Sequence, residues 1–321
     1  MTLDAYLDEW LALLRTRIQP TTLRSYVAMS DAYLRPGLGP IRIGDLDVRR
    51  LNLHFAQLLT GGGRRGQPLA RKTVHYAHAI LGQALGEAVR DGLLEHNVAQ
   101  RVTLPRLDPD AEPDVDGLRV WDAEQAARFL RLSAAKPFHD LWRVALGTGM
   151  RRGELLGLRW EDVDLSVPQL RVRTSLAHVD GRYWLKSTKT GRGRVLHLDE
   201  DTAAAIAARP RLEDGRWPLV FTRPDGQPLR PEVVSDRWRR QWPALELPKI
   251  TLHALRHCHA CLLLDQGVPI KVVSERLGHS TISMTMDVYA HVLPAQDRDA
   301  SAAIRRALRG ESGGGASRST E

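Results

Sequence analysis

Apolar residues in the first hundred positions recur at steps of three and four. Leu3, Tyr6, Leu7, Trp10, Leu11 and Leu14 fall on one helical face, as a helix packed on a core requires. A second helix is expected to open at Pro20-Thr21-Thr22 under a threonine cap, carry Tyr26, Met29 and Leu34, and stop at Pro36-Gly37. Asp47 is placed to cap a third over 48–59, and a longer one covers 71–92. The period is then lost: 107–117 (LDPDAEPDVDG) is rich in Pro and Asp and reads as a linker. The expected organisation is therefore a helical domain 1–106, a linker 107–118, a second domain 119–309 and a disordered tail 310–321. The sequence holds no internal repeat.

In the second domain Asp122 is expected to cap a helix, and a helix over 141–146 ends at Gly147-Thr148-Gly149, with Arg151 just beyond. Periodicity then changes from helical to alternating. Runs 170–176 and 183–187, joined through Asp180-Gly181, and a third run 194–198 are expected to form one small antiparallel sheet. Lys189 lies in the turn before the third run, on a flexible tip. Helices are expected again over 202–208 and 232–242. Residues 252–264 contain no Gly or Pro, and on that helix His253, Arg256 and His257 share a face at i, i+3 and i+4. Val268-Pro269 restarts the chain into 270–277, stopped by Gly278; His279 follows and Tyr289 stands ten residues later. The fold class is mainly α with a small antiparallel β-sheet in the C-terminal domain.

Composition narrows the chemistry. The 321 residues are 43% hydrophobic and 26% charged, ordinary for a folded chain. Formal charge is +8, carried mostly by arginine, which favours a polyanionic partner. With two cysteines, Cys258 and Cys261, a disulfide scaffold is excluded and a reducing compartment fits. The acidic, amphipathic N-terminus is no signal sequence and no apolar run approaches the roughly 18 residues of a membrane span, so a soluble cytoplasmic protein without membrane contact is expected.

An imidazole and a guanidinium aimed together can grip a pair of anionic oxygens, since Arg offers a fork matched to phosphate and His can relay a proton. A phenol, with its pKa near 10, becomes a useful nucleophile only where cations or a base take its proton. Tyr6, Tyr26, Tyr33 and Tyr76 fall on presumed core faces and Tyr183 in the hairpin, leaving Tyr289 beside the basic motifs. Cys258 and Cys261, flanked by His257 and His259, lack the second ligand pair of a closed zinc site, so no metal and no cofactor are expected. Gly61 to Gly66 forms a basic glycine loop with neither a preceding strand nor a following Gly-Lys-Ser/Thr, so it reads as a connector. Arg237-Trp-Arg-Arg240 reads as a solvated face.

Five stretches together resemble the tyrosine recombinase, or phage integrase, family: TGMRRGELLGLRWED over 148–162, KTGRGR over 189–194, HALRH over 253–257, LGHS over 277–280 and DVYAH over 287–291. The resemblance implies a two-domain clamp around DNA, with a helical core-type domain preceding the catalytic one; a further arm-binding domain before it is not expected. It implies that Arg151 and Arg256 clamp the scissile phosphate, that His253 and His279 are hydrogen-bonding and proton-handling partners, and that Lys189 is the general acid. Tyr289 becomes the nucleophile of a 3′-phosphotyrosyl link, with Glu154 and His257 in support. Arg64, Arg65, Arg71, Lys72, Arg192 and Arg239 are expected against the DNA backbone. The implied partners are double-stranded DNA and further copies of the chain, a monomer in solution assembling as a tetramer on two sites, with accessory DNA-bending or excision factors open. The expected setting is the nucleoid and a mobile element. Ala254 stands where the family often has Asp, His197 where it often has Pro, and Lys186 is a rival to Lys189. A type IB topoisomerase-like relaxase, a catalytically silent DNA-binding regulator and a metal-dependent nuclease are the alternatives.

Overall fold

Helix α1 (Leu3–Leu14) forms where the apolar steps place it: Thr2 accepts the Ala5 N–H as its cap, and Leu3, Tyr6, Leu7, Trp10, Leu11 and Leu14 are buried. The computed structural model describes the chain apart from residues 64–65, 106–118, 188–192, 212–216, 242–244, 280, 282–304 and 306–321, and it divides into two compact units, Met1–Glu112 and Pro113–Glu321. Among the described residues no helix is long and apolar enough to cross a membrane.

In the first unit α2 (Pro20–Met29) starts on Pro20 itself, with Gln19 as an N-cap that makes no side-chain bond. The expected threonine cap is absent because Pro20 takes the first helical position, which needs no N–H partner. Nor does the chain stop at Pro36-Gly37. A wider π turn over Ser30–Leu34 leads into α3 (Arg35–Leu38), where Pro36 lies in a first turn and costs no hydrogen bond. Asp47 caps α4 (Val48–Gly61) by accepting the Arg50 N–H, and α5 (Arg71–Arg90) buries Val74, Ala77, Ile80, Leu81, Ala84, Leu85 and Ala88. The core of this unit is a single apolar cluster drawn from these helices. Tyr76 departs from expectation: it is 38% exposed, its hydroxyl bonded to that of Ser25.

The second unit opens with α6 (Ala123–Ser133), whose cap Asp122 exchanges hydrogen bonds with Gln125. It continues through α7 (His139–Thr148) and α8 (Arg152–Leu156). The strands are β1 (Val163–Asp164), β2 (Gln169–Val172), β3 (Thr174–Val179), β4 (Arg182–Ser187) and β5 (Arg194–His197). They do not form the one sheet expected from three runs. β1, β2 and β5 make an antiparallel sheet and β3 and β4 a separate hairpin. The run expected over 170–176 divides at Arg173, whose guanidinium turns to the buried Asp162 while Thr174 donates to the Gly157 carbonyl. Val172 pairs with Arg194 and Thr174 with Ser187, so β4 ends and β5 begins on either side of Arg173.

Further helices of the unit among the described residues are α9 (Glu200–Ala207), α10 (Pro231–Arg240), α11 (Ala254–Asp265) and α12 (Ile270–Leu277). Trp121, Phe129, Trp142 and Trp238 pack together at the centre of the core, with ring centroids 4.8–5.9 Å apart. Trp238 is therefore core, and the cluster read as a solvated face divides: Arg237, Arg239 and Arg240 are exposed. Buried indole N–H groups need acceptors. Those of Trp121 and Trp238 donate to the Pro248 and Ile250 carbonyls, fixing the chain just before α11.

Candidate active site

The turn after α7 brings the first arginine into place. Gly149 adopts the left-handed conformation (φ 63°), and a Cβ there would come within 2.6 Å of the His259 ring, so a side chain is excluded on both counts. The chain emerges at Arg151, the N-cap of α8. Glu154 reaches back to it: one carboxylate oxygen accepts the Arg151 backbone N–H at 2.9 Å and the other its Nη1, also at 2.9 Å.

The C-terminus of α12 gathers the arginines. Arg194 Nε donates to the carbonyl of Arg276 (2.7 Å), Arg256 Nη2 to that of Leu277 (2.6 Å), and Arg151 Nη2 to that of Gly278 (3.3 Å). A helix end leaves its last carbonyls without helical partners and carries partial negative charge, so cations belong there. Arg256 is further held by the Gly149 carbonyl at 2.8 Å and is almost wholly buried. Gly278 is left-handed (φ 68°) and caps α12, and a Cβ on it would lie 2.9 Å from Arg194 Nη1.

Three histidines stand beside these cations. His253 begins α11, and its ring meets that of His257 edge to face at 5.0 Å. Burial, then the charge of Arg256 and Arg151, lowers the His253 pKa even though the residue keeps an exposed face. His257 is pushed down to about 4 by burial, His253 and Arg256. His279, whose backbone N–H bonds the Ser274 carbonyl, is lowered to about 4 by burial and then by Arg256, Arg151, His257 and Arg194. Burial and the neighbouring cations thus favour the neutral form of all three, which can give one proton and accept another. Beside Arg151 and His253 opens a basin of about 790 Å³, lined also by Arg119, Arg152, Arg239 and Lys249; among the described residues no carboxylate lines it.

Arg276 ties several elements of the unit together. Its Nε donates to His259 Nε2 at 3.1 Å and its Nη2 to the carbonyls of Gly147 (3.1 Å) and His197 (3.0 Å). His259 Nδ1 in turn donates to the Leu146 carbonyl at 2.6 Å. Cys258 accepts the Trp121 N–H and Cys261 packs with Leu264, Val273 and Leu277, so both thiols serve the core. Among the described residues no group of three or more His, Cys, Asp or Glu side chains is arranged to hold a metal ion.

Of the residues singled out in the sequence, the structure brings Arg151, Glu154, His253, Arg256, His257 and His279 together. Arg71 and Lys72 are exposed at the start of α5, and Arg239 pairs with Asp236 at the basin's edge. Lys189, Arg192, Tyr289, Arg64 and Arg65 lie outside the described residues. Sequence reasoning quoted Arg194 only as the last residue of the KTGRGR stretch and the start of a strand, and gave it, Arg276 and His259 no role in the site. A basic residue in the last turn before a helix-ending Gly was the available signal for Arg276, and for Arg194 it was its place at the end of the KTGRGR stretch.

The family model described as the phage integrase family matches residues 120–296. The chain belongs to this family, and so is a site-specific DNA recombinase of the tyrosine class, an enzyme that cuts and rejoins DNA. A tyrosine recombinase XerC-like protein of Caldanaerobacter subterraneus subsp. tengcongensis is 25% identical over 327 aligned residues, 94% of this chain and 82% of the relative. The ICEBs1 integrase of Bacillus subtilis is 25% identical over 72% of this chain and 64% of its own length. Among solved structures, the Tn1549 transposon integrase in complex with a circular intermediate DNA superposes with a TM-score of 0.73 at 20% identity, over 95% of this chain and 99% of that one. A lambda integrase tetramer bound to a Holliday junction gives 0.66 at 19% identity, over 88% and 78%.

Proposed function

We propose that this chain is the integrase of a mobile element, and that its chemistry runs through the residues gathered at the end of α12. Arg151 and Arg256 hold the two non-bridging oxygens of the scissile phosphate, where charge collects as the fifth oxygen approaches; preorganised donors of this kind supply the largest share of such catalysis. Neutral His253 and His279 complete the cradle and move the nucleophile's proton. Tyr289 attacks phosphorus to give the 3′-phosphotyrosyl link, and Lys189 protonates the departing 5′ oxygen. The link conserves the phosphodiester energy, so a second 5′ hydroxyl can reverse the step on another strand. His257 supports His253 from behind, and Glu154 orients Arg151.

In the same reading, residues 1–106 form the core-type DNA-binding domain, joined by 107–118 to the catalytic domain 119–309. Arg64, Arg65, Arg71, Lys72, Arg192 and Arg239 contact the DNA backbone. The chain is a monomer in solution, assembles four to two DNA sites in the cytoplasm, and takes accessory DNA-bending or excision factors as partners. The carrying observation is the seating of Arg151 and Arg256 on consecutive carbonyls, 278 and 277, with His253, His257 and His279 beside them.

The test uses purified protein, a library of nicked duplexes from the flanking genome, excess chelator and a denaturing gel. A denaturant-stable adduct mapped to Tyr289 is expected and recovers the core site. DNA binding without any adduct would overturn the reading.

A further inference from the structure

Glu154 is a buried carboxylate, 4% exposed, and its charge must be met inside the protein. A charge removed from water must be compensated where it stands. Arg194 does so with a two-pronged contact, Nη2 at 2.7 Å and Nη1 at 3.2 Å to the two carboxylate oxygens. Arg151 shares the same oxygens but keeps 42% of its side chain exposed and lines the basin. Arg194 has no such freedom. Its Nε is fixed on the Arg276 carbonyl, its guanidinium slides over Gly278 where a Cβ would clash, and its side chain is 14% exposed.

We infer that Arg194 is a positioning residue of strand cleavage: it neutralises Glu154, so that Arg151 meets the scissile phosphate with its charge uncancelled. The inference rests on the phosphate-clamping role proposed above for Arg151. One carboxylate and two guanidiniums leave the cluster at +1, and that surplus faces the basin through Arg151. Without Arg194 the cluster falls to zero, and Glu154 claims Arg151 as its sole counter-ion. A brace that merely held β5 to α12 would make a different prediction, because it would depend on side-chain shape rather than on charge.

A charge cycle separates the two: wild type, R194Q, E154Q and R194Q/E154Q, compared on one nicked duplex for rate of covalent adduct formation. R194Q is expected to slow the adduct by about 10²-fold, the scale of losing one preorganised donor. R194Q/E154Q restores the surplus and regains at least about tenfold over R194Q, as coupled charges in one network do. R194K keeps the charge and stays within about tenfold of wild type. A double variant no faster than R194Q, or R194Q at the wild-type rate, overturns the inference. If R194Q fails to fold, the double variant decides by the same comparison against wild type.

The cycle is also read without chemistry. R194Q lowers the slope of log affinity against log salt by about 0.9, the release expected from one phosphate contact, and the double variant restores it. A wild type that binds but forms no adduct defeats the cleavage reading, while the salt slopes still decide the role of Arg194; equal slopes across the cycle overturn it.

Discussion

The arginines at the site of the second unit are used in the opposite way from those of the first. In the first, Arg17 meets Glu87 at 2.6 Å and Arg35 meets Asp4, Asp8 and Asp31, all of them acids at the surface over a core without charge. In the second, Arg256 and Arg276 are held largely by backbone carbonyls, which satisfy a guanidinium without cancelling its charge. The first arrangement contributes little, since exposed ion pairs are worth roughly 0–1 kcal/mol. The second costs desolvation and returns a rigid positive field with few internal acids to quench it. A site for a polyanion needs the second kind.

The largest effect expected is at the nucleophile. Tyr289→Phe removes only the attacking oxygen, so covalent adduct should vanish while duplex binding by gel shift stays at the wild-type level; residual adduct in this variant would reassign the nucleophile. Next comes Arg256→Lys, which keeps the charge but cannot span the Gly149 and Leu277 carbonyls with one fork. Adduct formation should fall by about 10²–10³-fold. Leaving one buried carbonyl unpaired should cost about 1–3 kcal/mol in denaturant unfolding. If lysine served as well as arginine, carbonyl seating would carry no weight in the contrast between the units.

How much of this was legible in the sequence follows from what each level of pattern encodes. The periodic helices, the Asp47 and Asp122 caps and the closeness of His253 to His257 are local, fixed within a turn or two of chain. The strand pairing was not, because the alternating run 170–176 looks continuous while its ladder changes partner at Arg173, under the pull of Asp162 and Gly157. The partners of Arg194 and Arg276 were illegible for the same reason: Arg194 lies 40 residues from Glu154 and Arg276 lies 129 from Gly147, and no spacing rule reaches that far. Trp238 misled through its neighbours, three exposed arginines around one core indole. The five motif stretches carried the chemistry, and the family match over 120–296 agrees with them.

A medium effect should appear with pH. His259 is buried between Leu146 and Arg276, and burial, then the Arg276 charge, takes its pKa down from 6.5 to about 4. Its folded pKa lies below the unfolded one, so the unfolded chain binds the proton more readily once pH drops below 6.5. The contribution is complete above 6.5 and is lost as pH falls towards and through about 4. The melting temperature of the full chain should decline over that window, and His259→Gln should flatten the decline. An equal decline in the variant would place the sensitivity elsewhere.

The smallest effect belongs to the surface pairs, and it tests the contrast from its weaker side. Arg17→Ala breaks a contact whose arginine is 55% exposed, and Glu87 keeps Arg90 at 2.8 Å, so no charge is stranded. The Glu87 carboxyl is held below its usual range first by Arg90 and then by Arg17, which leaves the stronger partner in place. Stability by urea titration should change by less than about 1 kcal/mol and fade further at high salt. A loss several times larger, insensitive to salt, would mean that the first unit also depends on its arginines for structure, and the division of labour between the two units would fail at the end where it looks safest.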